Sequence, residues 1–158
     1  MIFRSRFPDV AVPSVSLAEY VFEHAAGHLD LPALIDGPSG RTYTFRQLLG
    51  LIGRMSVALA ARGIGKGNTI CIYSPNVPEY AGWFFGASRI GAINTTANPL
   101  YTADELAKQL VDSGAKLIFT VPPLAERAVA AAAKVGAVVI TLGEAPGCVP
   151  FAEFIATG

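Results

Sequence analysis

Apolar residues follow two alternating patterns from residue 69 onward. Short continuous apolar runs, typical of strands buried on both faces, alternate with longer stretches in which apolar residues recur every three or four positions, as in helices. Strands joined by single helices form right-handed crossovers and hence a parallel sheet. The pattern predicts an α/β fold with three layers, αβα, and a mostly parallel sheet. Its four predicted strands lie at 69–74, 92–96, 116–121 and 137–141.

The region before residue 69 has a different pattern. Residues 1–15 carry Pro8 and Pro13 and are predicted to form an extended arm. The capping box at 16–19 predicts a helix that continues to about His28, because a serine and a glutamate three residues apart satisfy each other's backbone amides. The apolar residues expected on one face of this helix are Leu17, Tyr20, Val21 and Ala25.

A hairpin and four further helices complete the predicted domain. Strands at 33–36 and 41–44 flank the turn residues Gly-Pro-Ser-Gly and are predicted to pair. The helices are predicted from capping boxes, from prolines that suit a first turn, and from glycines that end helices. They run from Thr44 to Gly63, Pro78 to Gly91, Thr102 to Gly114 and Pro122 to about Lys134. Residues 1–158 together fit one domain.

The composition adds a question about the surface. The chain is 52% hydrophobic and 15% charged, whereas charged residues usually make up about 25% of a soluble domain. Two explanations stay open: a sheet buried on both faces, or apolar surface that belongs against a missing segment. The apolar residues at 151–155 favour the second explanation. They predict an exposed patch on the isolated chain, or self-association that hides it.

Charge and cysteine content exclude several classes of protein. Basic and acidic residues number 12 each, and without a basic run nucleic acid is not an expected partner. Cys71 and Cys148 are too few for a disulfide framework, and Cys71 is predicted to be a small core residue. No signal peptide is recognisable, and no membrane span is predicted because Arg54, Arg89 and Lys134 interrupt the apolar stretches. A cytoplasmic location is expected.

Three apparent motifs do not support chemistry. The glycines at 63–67 precede a strand and lack the Lys-Ser/Thr ending of a phosphate loop. His24 and His28 lack the adjacent glutamate of a zinc protease and a third ligand. Asp104 and Glu105 are explained by capping of the helix that follows. No catalytic residue and no metal site are therefore predicted.

A series of motifs does carry a family resemblance. The chain reads RTYTF at 41–45, YSPNVPEY at 73–80, GAINTTANPLYT at 91–102 and SGAK at 113–116. Over roughly residues 15–143, their order and spacing closely resemble the N-terminal region of 4-coumarate:CoA ligases and related acyl-CoA synthetases. The resemblance implies that residues 1–158 form a single partial domain, the N-terminal part of the AMP-binding domain in the adenylate-forming fold.

The resemblance also implies a reaction. These enzymes use ATP and Mg²⁺ to convert a carboxylate into an acyl-adenylate, from which the thiolate of coenzyme A then displaces AMP. Their phosphate loop, adenine-binding region and catalytic lysine lie in later segments, and this sequence contains none of them. The chain is therefore expected to be an N-terminal fragment, inactive alone and without tight binding of ATP, Mg²⁺ or coenzyme A. Its expected partner is the remainder of the ligase chain or a second copy.

One group of binding residues can be carried over from the resemblance. In related acetyl-CoA synthetases the matching loop lies near the nucleotide of coenzyme A, and an arginine after the next strand assists. The cofactor-binding residues implied here are Asn98, Pro99, Leu100, Tyr101 and Arg127. In the alternative interpretation, Asn98 and Pro99 only form a turn and Tyr101 only packs.

Two other functions also remain open. The chain could be a free-standing α/β module that binds a nucleotide-like ligand at the carboxyl ends of its strands. It could also be an interaction protein that completes an active site together with another chain.

Overall fold

The computed structural model describes residues 3–156 and contains two sheets and six α-helices in that range. The N-terminal elements are helix α1 (Leu17–Val21), strands β1 (Pro32–Ile35) and β2 (Thr42–Thr44), and helix α2 (Phe45–Ala60). The central elements are β3 (Thr69–Tyr73), α3 (Pro78–Arg89), β4 (Ile93–Ala97) and α4 (Ala103–Ser113). The C-terminal elements are β5 (Ala115–Thr120), α5 (Ala125–Ala132), β6 (Val138–Thr141), β7 (Val149–Pro150) and α6 (Phe151–Ala156).

The main sheet has five parallel strands in the order β4-β3-β5-β6-β7. The four strands predicted from their apolar runs are all present and parallel. Every residue of the interior strand β3 is buried, because helices cover the sheet on both faces. The prediction of a three-layer α/β fold is therefore confirmed. β7 was not predicted, since two residues are too few for a strand pattern.

One layer of the core is aromatic and lies under α2, α3 and α6. The Trp83 ring stacks on Phe119 at a centroid distance of 4.4 Å and on Phe154 at 5.5 Å. Phe151 and Phe154 are only 8% and 1% exposed. The phenylalanines at 151–155 therefore do not contribute to an exposed apolar patch, because α6 folds back and inserts both rings beside Trp83. The opposite layer consists of smaller side chains from α4 and α5.

The N-terminal region departs from its predicted pattern. Residues 3–15 contain no helix or strand. The first helix begins at its predicted capping box but ends at Val21 rather than near His28, and a 3₁₀ turn follows at 25–28. The ring of Phe22 leaves the helix to pack edge-on against Phe85, with centroids 5.0 Å apart. Ala18 is buried. Leu17, Tyr20 and Val21, which were predicted to lie on one apolar face, are about half exposed.

The hairpin is confirmed as an antiparallel pair, separate from the main sheet. The last predicted helix is divided: a 3₁₀ turn covers Pro122–Leu124, and α5 begins only at Ala125. 3₁₀ turns are frequent at helix N-termini, and prolines suit such first-turn positions because the amides there have no acceptor within the helix. All three predicted capping boxes are present, and Gly114 ends α4 in the left-handed conformation, with a φ of 64°.

Candidate functional site

The carboxyl ends of the parallel strands form one edge of the sheet, where the connections change direction. The chain leaves β3 towards β4 on one side and then crosses back to β5 on the other side of β3. In open α/β sheets, ligands bind outside the strand ends at such a switch point. The loop that follows β4 and the segment that follows β5 both reach this edge.

The loop after β4 is a compact turn. The side-chain oxygen of Asn98 accepts a hydrogen bond from the Leu100 amide at 3.0 Å, and the carbonyl of Asn98 accepts one from the Tyr101 amide at 2.9 Å. Asparagine favours such turns because its side chain imitates a backbone acceptor. Thr102 then caps α4 together with Glu105. The side chain of Leu100 is 81% exposed, so the turn presents an apolar tip to solvent.

Arg127 meets this loop from α5. Its Nη1 donates to the Tyr101 carbonyl at 3.2 Å, although 26 residues separate the two in sequence. The structure thus brings together the loop at 98–101 and the arginine that the resemblance implied. The loop is also a genuine turn, and Tyr101 is half-buried against the α4–α5 core layer. A role of these residues in binding coenzyme A stays a prediction.

The geometry of Arg127 leaves part of its guanidinium available. Both of its hydrogen bonds within residues 3–156 come from Nη1, and neither Nε nor Nη2 has a partner there. A guanidinium binds phosphate or carboxylate best through two parallel N–H donors, and the Nε and Nη2 edge provides such a pair. The arginine side chain is exposed at the sheet edge, where an anionic ligand can reach it.

One further residue at this edge, Tyr73, was not predicted from the sequence. Tyr73 ends strand β3 and is fully buried, and its hydroxyl donates to the Tyr101 carbonyl at 2.6 Å. The same hydroxyl accepts from Nη1 of Arg127 at 3.5 Å. In the sequence Tyr73 is one more aromatic residue in an apolar run. The available signal was its position at the strand end, where a side chain can reach a neighbouring loop.

A second polar cluster lies away from this edge, at the hairpin. Glu79, near the start of α3, is buried, and its carboxylate accepts from Arg41 Nη1 at 2.7 Å and from the Tyr43 hydroxyl at 2.8 Å. The hydrogen bond to Glu79 raises the pKa of Arg41, whereas burial and then the same carboxylate raise the pKa of Tyr43. Because the buried Glu79 carboxylate accepts from both Arg41 and Tyr43, the cluster joins the hairpin to α3.

The cysteines and histidines form no additional site in the part of the chain that the structure describes. Cys71 is fully buried, as predicted, and burial raises the pKa of its thiol to about 12. His24 is exposed, and its Nε2 lies 3.1 Å from Oε1 of Glu23. Within residues 3–156, no group of three or more His, Cys, Asp or Glu side chains could hold a metal ion. No helix there is long and apolar enough to cross a membrane.

Comparison with known protein families identifies the chain. The family model of AMP-binding enzymes matches residues 21–153. The chain belongs to the AMP-binding enzyme family. It is 40% identical over 156 residues to 4-coumarate–CoA ligase 5 of Oryza sativa subsp. japonica, covering 98% of this chain and 29% of that relative. It is 46% identical over 120 residues to 4-coumarate–CoA ligase 3 of Arabidopsis thaliana, covering 75% of this chain and 21% of that relative.

Solved structures of this family have the same fold. A benzoate CoA ligase from Burkholderia xenovorans LB400 superposes with a TM-score of 0.81 at 23% identity, covering 89% of this chain and 28% of that enzyme. The anthranilate CoA ligase AuaEII, solved with anthranoyl-AMP, superposes with a TM-score of 0.79 at 22% identity, covering 92% and 29%. The resemblance to the N-terminal region of adenylate-forming ligases is therefore confirmed. This AMP-binding family member spans about 29% of the length of the rice relative.

Proposed function

We propose that this chain is the N-terminal part of an acyl-CoA ligase and that its sheet edge contributes to binding coenzyme A. The observation that carries the proposal is the convergence of Arg127 and the loop at 98–101 on the carboxyl edge of the sheet. The relatives support it, because the curated matches are named 4-coumarate–CoA ligases and two of the superposed structures are CoA ligases.

The proposed contact is electrostatic. The free Nε and Nη2 edge of Arg127 would bind a phosphate of the coenzyme A nucleotide through two charge-assisted hydrogen bonds. The turn at 98–101 would pack beside the nucleotide and present the exposed side chain of Leu100. These groups bind and orient, and none of them can supply a proton or a nucleophile to the reaction.

The chemistry itself would come from the rest of a full-length ligase. Activation of a carboxylate by ATP requires groups that neutralise charge developing on phosphate in the transition state. The sequence carries no phosphate loop of the family, and residues 3–156 hold no cluster suited to Mg²⁺. We therefore expect ATP, Mg²⁺ and the acyl substrate to bind residues outside this chain. The two unpaired cysteines suit the reducing cytoplasm, where we place the protein.

An activity assay tests the first part of the proposal. The purified chain, mixed with ATP, Mg²⁺ and a panel of aromatic and aliphatic carboxylates, should release no pyrophosphate above a blank without protein. Carboxylate-dependent release would show that the chain is an active enzyme by itself and would contradict the proposal.

A binding experiment tests the second part. Titration of the isotope-labelled chain with coenzyme A should shift the amide signals of residues 100–102 and the Nε–H signal of Arg127. We expect weak binding, with a Kd of about 1 mM or above, because one arginine fork and one turn provide few contacts. Arg127→Ala should remove the shifts. Arg54→Ala is the matched control, because Arg54 is an exposed arginine on α2 in the opposite layer. Unchanged shifts in the Arg127 variant would refute the assignment.

A role in association with another chain is the second candidate. The observation that favours it is the half-exposed apolar face of α1, formed by Leu17, Tyr20 and Val21. Exposed apolar patches of this kind often mark contact surfaces. The occupant would be the remainder of the ligase or a second copy of the chain. Light scattering after size-exclusion chromatography tests self-association: a monomer at micromolar concentration that binds no hydrophobic dye would count against it.

A further inference from the structure

We propose that Tyr73 is a positioning residue that holds the Tyr101 carbonyl and, through it, the guanidinium of Arg127. This inference rests on the proposed binding of coenzyme A at the sheet edge and adds to it a residue of the interior strand β3. Tyr73 itself is fully buried, so it cannot touch a ligand in solution. Its effect must pass through the two groups that its hydroxyl contacts.

The three groups have a defined division of donors and acceptors. The Tyr73 hydroxyl has one proton, and the 2.6 Å distance to the Tyr101 carbonyl assigns that proton to this hydrogen bond. The oxygen lone pairs of Tyr73 then remain to accept from Nη1 of Arg127 at 3.5 Å. The second proton on Nη1 goes to the Tyr101 carbonyl at 3.2 Å. Both protons of Nη1 are thereby occupied.

This division fixes the direction in which Arg127 can bind. Because the guanidinium is planar, holding Nη1 on two acceptors restricts the rotation of the whole group. The free Nε and Nη2 edge is then kept on the side opposite to Tyr73 and Tyr101. An arginine without such support populates many rotamers, and restricting them on binding costs free energy. Tyr73 would reduce that cost in advance.

The position of Tyr73 also suits this role. It ends β3, which pairs with β4 on one side and β5 on the other, and Tyr73 itself pairs with Ala97 of β4. Its hydroxyl joins segments 28 and 54 residues away, the loop after β4 and the helix after β5. A phenylalanine could fill the same buried volume. The hydroxyl is therefore the part of the side chain that the inference concerns.

The test uses the full chain with Tyr73→Phe, which removes only the hydroxyl. Tyr80→Phe is the matched control, because the Tyr80 hydroxyl contacts Thr96 and its ring packs in the other core layer. The first measurement is the order parameter of the Arg127 Nε–H bond by NMR relaxation, without any ligand. We expect it to fall in Tyr73→Phe and to stay at the wild-type value in Tyr80→Phe. Circular dichroism checks that both variants fold.

The second measurement is affinity for adenosine 3′,5′-bisphosphate, a probe that carries the 3′-phosphate and the first 5′-phosphate of the coenzyme A nucleotide. Loss of one supporting hydrogen bond should weaken binding about 3- to 10-fold in Tyr73→Phe. In the background of Arg127→Ala, the same change should have no further effect, since the arginine that it positions is absent. Equal loss of affinity in Tyr73→Phe and Tyr80→Phe would overturn the inference.

The two proposals can fail separately. If the wild-type chain binds neither coenzyme A nor the bisphosphate, the proposed function fails, and the order parameter of Arg127 alone decides whether Tyr73 positions it. If the wild-type chain binds and the order parameter does not change in Tyr73→Phe, Tyr73 is only a buried core residue and the positioning role is refuted.

Discussion

The hairpin and the central sheet are stabilised in different ways. The interior strand β3 is buried at every residue and lies between two apolar layers, whereas β1 and β2 are exposed or half-buried throughout. The hairpin is a separate pair of strands, and an isolated pair is marginally stable in water. The side chains of Arg41 and Tyr43 hydrogen-bond to Glu79 of α3, and these polar contacts anchor the hairpin to the rest of the chain.

The difference predicts how each region responds to substitution. Many apolar side chains are buried against the sheet, so truncating one of them should lower the free energy of unfolding of the whole domain. The hairpin depends on a few hydrogen bonds, so the loss of one acceptor should loosen the hairpin and leave the sheet intact. Three predictions test the contrast, in order of decreasing expected effect.

The largest effect is expected in the aromatic layer. Trp83→Ala removes a fully buried ring that stacks on Phe119 and Phe154, and it should lower the free energy of unfolding by about 3–5 kcal/mol. Urea unfolding followed by circular dichroism measures this. Val57→Ala, at a half-exposed position on α2, should change it by no more than about 0.5 kcal/mol. A cost below 1 kcal/mol for Trp83→Ala would contradict the assignment of this layer as the core.

An intermediate and local effect is expected at the hairpin. Glu79→Gln keeps the shape of the buried side chain but removes the negative charge of the carboxylate that accepts hydrogen bonds from Arg41 and Tyr43. We expect the free energy of unfolding to fall by about 2 kcal/mol. This is less than for a fully buried ion pair, because the Arg41 side chain is 52% exposed and water can hydrogen-bond to it in place of the Glu79 carboxylate. Hydrogen exchange should accelerate at 32–44 and remain unchanged in β3.

An exposed ion pair that flanks the hairpin provides the control for that variant. Asp30 and Arg46 are both largely exposed, so solvent screens their attraction. Asp30→Asn should therefore cost under about 1 kcal/mol and should not change hydrogen exchange at the hairpin. If the two variants behave alike, burial of Glu79 is not what anchors the hairpin.

The smallest effect concerns pH and the sheet. Burial raises the pKa of Cys71 from its ordinary value of 9.0 to about 12, so the folded state keeps the thiol neutral where the unfolded chain ionises it. This contribution is fully present below pH 9 and is lost as pH rises towards 12, at about 1 kcal/mol by pH 10. Urea unfolding at pH 8 and pH 10 measures it, and Cys71→Ala should reduce the difference by that amount.

Alkylation of the thiols gives a second readout of the same burial. Cys148 is half-buried and lies in the loop before β7, and a thiol reagent at pH 8 should modify it in the folded chain. Cys71 should react only after unfolding. Modification of Cys71 at the same rate as Cys148 under native conditions would show that β3 opens readily.

Local signals in the sequence predicted much of the fold. The apolar runs of β3 and β5 and the capping boxes at Ser16, Thr44 and Thr102 identified elements correctly, because each depends on neighbouring residues alone. The early end of the first helix and the buried C-terminal helix were not predicted, because both depend on distant partners. Phe22 packs on Phe85, and the rings of α6 pack on Trp83.

The candidate site was predictable only in part. The loop at 98–101 and Arg127 were identified by family resemblance, and their contact became visible only once β4 and α5 were positioned. The role of Tyr73 could not be identified, since tyrosine and phenylalanine are equivalent in the apolar pattern of a buried strand. What distinguishes them is the acceptor that the fold places 2.6 Å away.

The contact between Arg127 and Tyr73 has a consequence for the order of folding. It joins residues 54 positions apart, whereas the hairpin joins strands separated by only a few residues. Closing long loops costs chain entropy before any contact compensates for it, so contacts of high sequence separation form slowly. During synthesis the hairpin strands can meet once residue 44 has left the ribosome, and their anchor is available once Glu79 has followed. The edge of the sheet cannot assemble until residue 127 has left the ribosome and α5 has docked, so a bound anionic ligand would report that this long-range contact has formed.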